Sequence, residues 1–252
     1  MEAPLDGQVA IVTGAGSGIG RAVATTFARS GATVVATDLS EDTARETART
    51  IEREGGSARA AQLDVGDAEG VDVLVRELAD DHGRIDVLCN NAGIADTMQL
   101  PPDMSPQTWE QVLRVNLTGP FLLSRAVLPH MVAAGSGSIV NIASEAALRG
   151  GTSGAAYTAS KHGVVGLTRN IAWTHTRDGV RCNAVCPGMV ETSIAGSGFD
   201  DEGLQRLAPV MGLTDQMAQP QAIADVALFL ATAQSAFVNG AVLPADGGWS
   251  AG

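Results

Sequence analysis

A chain of 252 residues contains one tyrosine and one lysine, and they stand four positions apart, Tyr157 and Lys161; the remaining basic residues are all arginine. On a helix an i, i+4 pair shares one face, a single turn apart. A free phenol titrates near ~10, so at neutral pH only about one in a thousand is ionised. A fixed ammonium roughly 4 Å away contributes about 4 kcal/mol at an effective dielectric near ~20, which is nearly three pKa units. The pair therefore reads as a general acid/base, Tyr157, tuned toward neutrality by Lys161. An arginine fork is bulkier and planar and would not make the same point contact. The plain alternative is a half-buried tyrosine and a solvated lysine on a surface helix.

A second candidate site lies at the other end of the chain. Thr13-Gly-Ala-Gly-Ser-Gly-Ile-Gly20 follows a short apolar run and opens a helical pattern. Gly14, Gly18 and Gly20, with Ser17 and Ile19 between them, suit a tight turn that lets a pyrophosphate reach a helix N-terminus. Asp38 ends the next strand, eighteen residues after Gly20, where it can accept both hydroxyls of a ribose and would repel a 2′-phosphate. No basic residue stands at Ala15, Ser17 or Leu39 to offset that phosphate. NAD is favoured over NADP on this reading. Ser40 suits the cap of the following helix, so Asp38 is left free for the ligand.

The elements that must hold these residues alternate. Strands are expected over 9–12, 33–37, 58–63, 85–89, 138–142, 180–185 and 241–243. Helices are expected over 19–30, 40–54, 67–81, 105–134, 153–176 and 220–233, the fourth kinked by Pro120. The stretch 189–220 reads as loop. Alternation without a repeat or linker is the pattern of one doubly wound α/β parallel sheet of about seven strands, a single domain over 1–252 with its substrate loop near 189–220. In such a sheet ligands bind at the carboxyl ends of the strands, where the glycine turn, Asp38, Asp64, Asn90–Gly93, Ser144 and Pro187-Gly188 all fall.

Composition narrows the class. Hydrophobic content of 45% is ample for a core, and aromatics at 4% leave that core to Ala, Val, Leu and Ile. A net charge of −12 and a pI near 4.6 argue against nucleic acid or an anionic membrane as partner. No signal peptide or membrane span is read, so a cytoplasmic protein is expected. Cys89, Cys182 and Cys186 lack zinc or redox spacing and read as buried thiols; no metal is expected.

With these residues in place, the chain resembles the short-chain dehydrogenase/reductase family over essentially its whole length. The resemblance rests on Thr13-Gly14…Gly18…Gly20, Asn90-Asn91-Ala92-Gly93, Asn116, Ser144, Tyr157…Lys161 and Pro187-Gly188, in family order and spacing. It implies that Tyr157 is the catalytic acid/base, and that Lys161 lowers its pKa and holds the nicotinamide ribose. It implies that Ser144 bonds the substrate oxygen, and that Asn116 anchors a water leading from Lys161 to solvent. Asp64 and Val65 would contact adenine, and Asn91, Ala92 and Gly93 would line the cofactor. Pro187, Gly188, Val190 and Thr192 would form the nicotinamide-side loop.

The implied reaction is hydride transfer between nicotinamide and a secondary alcohol or ketone. Glu145 to Leu148, Gly151, Met189 and the loop 194–217 would shape the substrate pocket, with Asp200, Asp201 and Glu202 solvated. These mostly small or apolar residues favour a neutral or moderately apolar alcohol. The alternatives are a 3-oxoacyl thioester reductase, an NAD(H)-binding sensor without turnover, and an epimerase or lyase. The family resemblance also implies a homotetramer, built on the helices 105–134 and 153–176 and on the segment from Ala241 to Trp249.

Overall fold

The computed structural model describes residues 3–192, 194 and 199–252. Seven strands form one sheet in the order β3-β2-β1-β4-β5-β6-β7, and every neighbouring pair is parallel. In chain order the elements begin with β1 (Val9–Thr13), α1 (Gly18–Arg29), β2 (Thr33–Asp38), α2 (Glu41–Arg53), β3 (Ser57–Gln62), α3 (Ala68–His82) and β4 (Val87–Asn90). There follow α4 (Pro106–Leu113), a π-helical turn (Arg114–Thr118), α5 (Gly119–Ala134), β5 (Gly137–Ile142), α6 (Ala155–Thr174) and β6 (Val180–Pro187). The chain closes with α7 (Asp201–Met211), α8 (Pro220–Ala231) and β7 (Val242–Ala245).

The central strands are buried on both faces, so they read as unbroken apolar runs, and alternate residues serve opposite layers. Ala10 and Val12 pack with Phe27 of α1, Ile51 of α2 and Ile223 and Leu230 of α8. Val9 and Ile11 pack with Leu78 of α3, Leu123 and Met131 of α5 and Ile171 of α6. Strand order reverses between β1 and β4, and a crevice opens there at the carboxyl ends.

Four expectations are corrected. The helix expected over 105–134 runs without a break from Pro106 to Ala134 but is not α throughout: a π turn over Arg114–Thr118 joins α4 to α5. Pro120 has no N–H for the carbonyl of Asn116 four residues back, and the extra residue of the turn absorbs that gap. The stretch read as loop contains α7, capped by Asp200, whose carboxylate accepts the Gly203 N–H at 2.7 Å. Gly203 and Pro209 masked its helical pattern, and Asp200 is half-buried rather than solvated. Ser40 makes no side-chain cap for α2; Asp38 accepts the Ser40 N–H instead, at 3.0 Å. That bond ties the end of β2 to the residue before α2 and caps no first-turn N–H, so Asp38 is engaged but is not a helix cap. Of the expected substrate loop, residues 193 and 195–198 lie outside the described residues.

Candidate active site

The glycine turn is built for close approach. Gly14 and Gly18 take left-handed φ of 63° and 51°, which side chains bearing a Cβ rarely adopt. A Cβ on Gly20 would collide with the Gly14 carbonyl, so α1 can pack directly beneath the turn only with glycine there. Asn91 fastens the turn to β4 by donating from Nδ2 to the Thr13 carbonyl at 2.9 Å and the Gly14 carbonyl at 3.2 Å. Asp38 closes the far side, its Oδ2 accepting the Gly16 N–H at 2.9 Å.

A cleft of about 510 Å³ runs from this turn across the sheet edge. It is lined by Gly14, Ser17, Gly18, Ile19, Asp38, Leu39, Asp64, Val65, Asn91, Ala92, Gly93 and Thr192, all expected from the sequence. Gly20 lies beneath the turn. Pro187 and Gly188 stand at the end of β6, where Gly188 donates to Ala245, and Val190 bridges to Ala218; none of these lines the cleft. Ile94, Gln111 and Arg114 line it without having been foreseen. The Arg114 guanidinium grips the Asp64 carboxylate through two hydrogen bonds of 3.2 and 2.5 Å and holds its carboxyl below the usual range.

None of the four residues expected to do chemistry lines this cleft; Asn116 and Lys161 lie behind its wall at Gly93. Ser144 follows β5, and Tyr157 and Lys161 share the first turns of α6. A Cβ placed on Gly93 would lie 3.3 Å from Asn116 Oδ1 and 3.6 Å from Lys161 Nζ. Asn116 is 1% exposed and holds Ile94 in both directions, accepting its N–H at 2.8 Å and donating to its carbonyl at 2.9 Å. Its Nδ2 also reaches Ser160 at 3.2 Å. Lys161 is 3% exposed; its ammonium donates to the Ile142 carbonyl at 2.9 Å and sits over the Tyr157 ring, 5.5 Å from the centroid.

The expected tuning of Tyr157 is not what this arrangement produces. Burial pushes the phenol up to about 12, against a hydrogen bond with Ser144 that pulls it down, while the Asp96 carboxylate adds to the rise. Burial likewise brings Lys161 down to about 8. The ammonium lies over the ring face and gives its hydrogen bond to a backbone carbonyl, so desolvation outweighs charge attraction.

Two features escaped sequence reasoning. Asp96, buried at 3%, accepts the Tyr157 backbone N–H at 2.9 Å from a loop sixty-one positions away. Glu145, 1% exposed, pairs with Arg149, which also donates to the Trp249 carbonyl at 2.7 Å and lies over the Trp249 ring. The second carboxylate oxygen of Glu145 is buried without a partner among the described residues. Neither an acid three residues after Gly93 nor one after Ser144 has a local signature. Trp249 itself turns inward, its ring N–H donating to the Val210 carbonyl of α7 at 2.9 Å.

Known proteins resemble this chain along its whole length. A family model described as enoyl-(acyl carrier protein) reductase matches residues 14–250. The short-chain dehydrogenase/reductase olcF of Penicillium canescens is 41% identical over 259 residues, covering 98% of each chain. D-threitol dehydrogenase of Mycolicibacterium smegmatis is 41% identical over 251 residues, covering 98% of this chain and 94% of its own. A crystal structure assigned as an NAD(P) dependent gluconate 5-dehydrogenase from Beutenbergia cavernae, with bound NADP at low occupancy, superposes with a TM-score of 0.90 at 43% identity, over 100% of both chains. The seven-stranded parallel sheet expected from the sequence is present, and the whole fold superposes on that solved structure.

Proposed function

The chain belongs to the short-chain dehydrogenase/reductase family, and we propose that it is an NAD-dependent oxidoreductase that interconverts a secondary alcohol and a ketone with Tyr157 as acid/base. One observation carries the proposal: Gly93, on the wall of the cleft, adjoins both Asn116 and Lys161, so a ligand lying along the cleft meets the Tyr157 end. A bound nicotinamide supplies the hydride acceptor or donor. Gly14, Ser17, Gly18, Ile19 and Gly20 would carry its pyrophosphate on the N-terminus of α1. Asp38 and Leu39 would hold the adenosine ribose, Asp64 and Val65 the adenine. Asn91, Ala92, Gly93, Pro187, Gly188, Val190 and Thr192 would border the nicotinamide half.

In the oxidising direction Tyr157 takes the alcohol proton and Ser144 holds the same oxygen in place. Lys161, buried beside the ring, stabilises the phenolate as it forms and holds the ribose. The Asn116 carbonyl, deprived of an α-helical donor by Pro120, is free to hold the water that connects Lys161 with solvent.

Preference for NAD rests on Asp38. Its carboxylate faces the cleft while accepting the Gly16 and Ser40 N–H groups, and a phosphate there would meet a fixed negative charge. Arg21, a cation close by, is already engaged with the Gly16 carbonyl and with Glu46 at 3.2 Å. The Beutenbergia cavernae relative binds NADP, which makes NADP⁺ the comparison to run.

The substrate read from the pocket is a small neutral alcohol, and kinship with D-threitol dehydrogenase supports including polyols in that class. Exposed Ile194, Leu213 and Met217 give an apolar rim to the segment around α7, the flap of the proposed substrate site. A single domain carries both halves of the reaction. A homotetramer is part of the same reading, supported by the apolar groove between α5 and α6, where Phe121, Leu128, Val132 and Leu167 meet. Val164 and Ile171 of α6 are themselves buried in the core. Three buried free cysteines support a reducing, cytoplasmic setting; no helix among the described residues is long and apolar enough to cross a membrane.

The test is NADH formation across a panel of secondary alcohols and polyols, with NADP⁺ in parallel and Tyr157→Phe as control. Turnover with NAD⁺ that vanishes in the variant while NADH binding persists supports the reading. Turnover only with NADP⁺ overturns the cofactor assignment, and an unaffected variant overturns the role of Tyr157.

A further inference from the structure

We propose that Asp96 is a positioning residue: it pins Tyr157 at the start of α6 and, through the loop it stands on, ties Tyr157 to the flap helix α7. The inference rests on the reading of Tyr157 as acid/base. Tyr157 is the third residue of α6, and its N–H is one of the first-turn donors that has no partner within the helix. Gly154 precedes the helix and supplies no side-chain cap. The acceptor comes instead from across the site, as Asp96 Oδ2 at 2.9 Å. Because the bond lands on the backbone of Tyr157 itself, it fixes the root of the side chain and not merely the helix end.

The site is shaped for this carboxylate. A Cβ on Gly154 would collide with it, so glycine there opens the space that Asp96 fills. The buried charge is met by the positive end of a twenty-residue helix and by two backbone donors, Tyr157 and, to Oδ1 at 3.1 Å, Met98. Met98 is held at φ 60°, the one non-glycine residue with positive φ among the described residues. A segment held in so unfavourable a conformation is over-determined by its surroundings.

The same three residues receive the flap. The Thr97 carbonyl accepts the Asp200 N–H at 2.9 Å, immediately before α7. The Met98 carbonyl faces Gly203 so closely that a Cβ on Gly203 would collide with it. Residues 96–98 therefore form one rigid step, with Tyr157 fixed on one side and the first turn of α7 docked on the other. Displacement of α7 by a substrate is felt at Tyr157 through this step.

Charge gives a readout that a merely structural role would not move. The groups facing Tyr157 are Asp96 from the loop after β4, Ser144 from the end of β5 and Lys161 from its own helix. Among them only Asp96 is negative, and it disfavours the phenolate. Since Tyr157 is the sole tyrosine, near-ultraviolet tyrosinate absorbance reports this one group.

The experiment compares the full-length wild type with Asp96→Ala and Asp96→Asn, the second keeping volume and one acceptor oxygen. Folding is checked by circular dichroism and NADH binding by fluorescence. At about pH 10.5 the wild-type phenol remains protonated, and the midpoint falls by about 1 unit in each folded variant. Turnover per NADH-binding site with a responsive alcohol falls about tenfold to a hundredfold in Asp96→Ala and less in Asp96→Asn, with NADH affinity kept within about twofold. Variants that lose only thermal stability, keeping the wild-type tyrosinate midpoint and turnover, overturn the proposal. If the wild type turns over no alcohol, the proposed function is what fails, and the tyrosinate midpoints still decide the role of Asp96.

Discussion

The Lys161 ammonium lies 5.5 Å from the centre of the Tyr157 ring and gives its hydrogen bond to the Ile142 carbonyl. Both groups are displaced by burial, Tyr157 upward to about 12 and Lys161 downward to about 8. Between about pH 8 and 10.5 the unfolded chain keeps the lysine proton while the folded chain has shed it, so this group's contribution to stability rises with pH. Above about 10 the sign reverses for Tyr157, which holds its proton folded and loses it unfolded, so stability then declines. Unfolding free energies of wild type and Lys161→Met measured from pH 7.5 to 9.5 should converge by about 2 kcal/mol as the charged lysine's burden is lifted. A constant gap would refute the downward shift of Lys161.

Asp38→Ser removes the fixed charge at the mouth of the adenosine site while leaving a small polar group. The ratio of kcat/KM for NAD⁺ over NADP⁺ should fall at least about tenfold. Part of the loss is local, because the Gly16 N–H loses its acceptor, so the affinity for NAD⁺ should drop even where NADP⁺ is not gained. An unchanged ratio would remove Asp38 from cofactor choice.

Gly20→Ala places a methyl group against the Gly14 carbonyl. Backbone cannot yield as a flexible side chain does, so the variant should lose about 1–3 kcal/mol of stability and most of its NADH binding. Gly150→Ala, with open space around it, is the control and should be close to neutral in both assays.

Arg149→Met strips the partner from Glu145, which has one oxygen already unpaired. Loss of about 3–5 kcal/mol is expected from an uncompensated buried carboxylate. Adding Glu145→Gln should return most of that loss, since a neutral amide needs no counter-charge. A double variant as unstable as the single one would show that Arg149 acts through the Trp249 contact instead.

The sheet was legible because β1, β2, β4 and β6 are short apolar runs ended by Gly, Asp, Asn or Pro-Gly, and such punctuation survives without knowledge of partners. Tyr157, Lys161, Ser144 and Asn116 were legible as types at family spacing. What their surroundings do was not. Sequence shows that a lysine stands one turn from the tyrosine but not that Lys161 is buried and Tyr157 half-buried, and desolvation set the direction of both shifts. The π turn hid because α and π segments share one hydrophobic pattern over five residues. Asp96 hid because a cap delivered across sixty-one positions leaves no mark near either end.

The strand order has a consequence for how the protein comes into being. β1, at the centre of the cofactor half, has no second neighbour until β4, whose Val87 pairs with Ala10, has been synthesised. Asn91 then locks the glycine turn, so roughly the first ninety residues must exist before that turn can hold its shape. The Tyr157 half waits longer, for β5 and β6, and β7 joins the edge only within the last ten or so residues. With every pairing parallel and non-local, folding is slow and late, and the unpaired edges of β1 and β6 stand exposed during synthesis. Truncation at the C-terminus should therefore impair solubility well before it reaches any residue of the site.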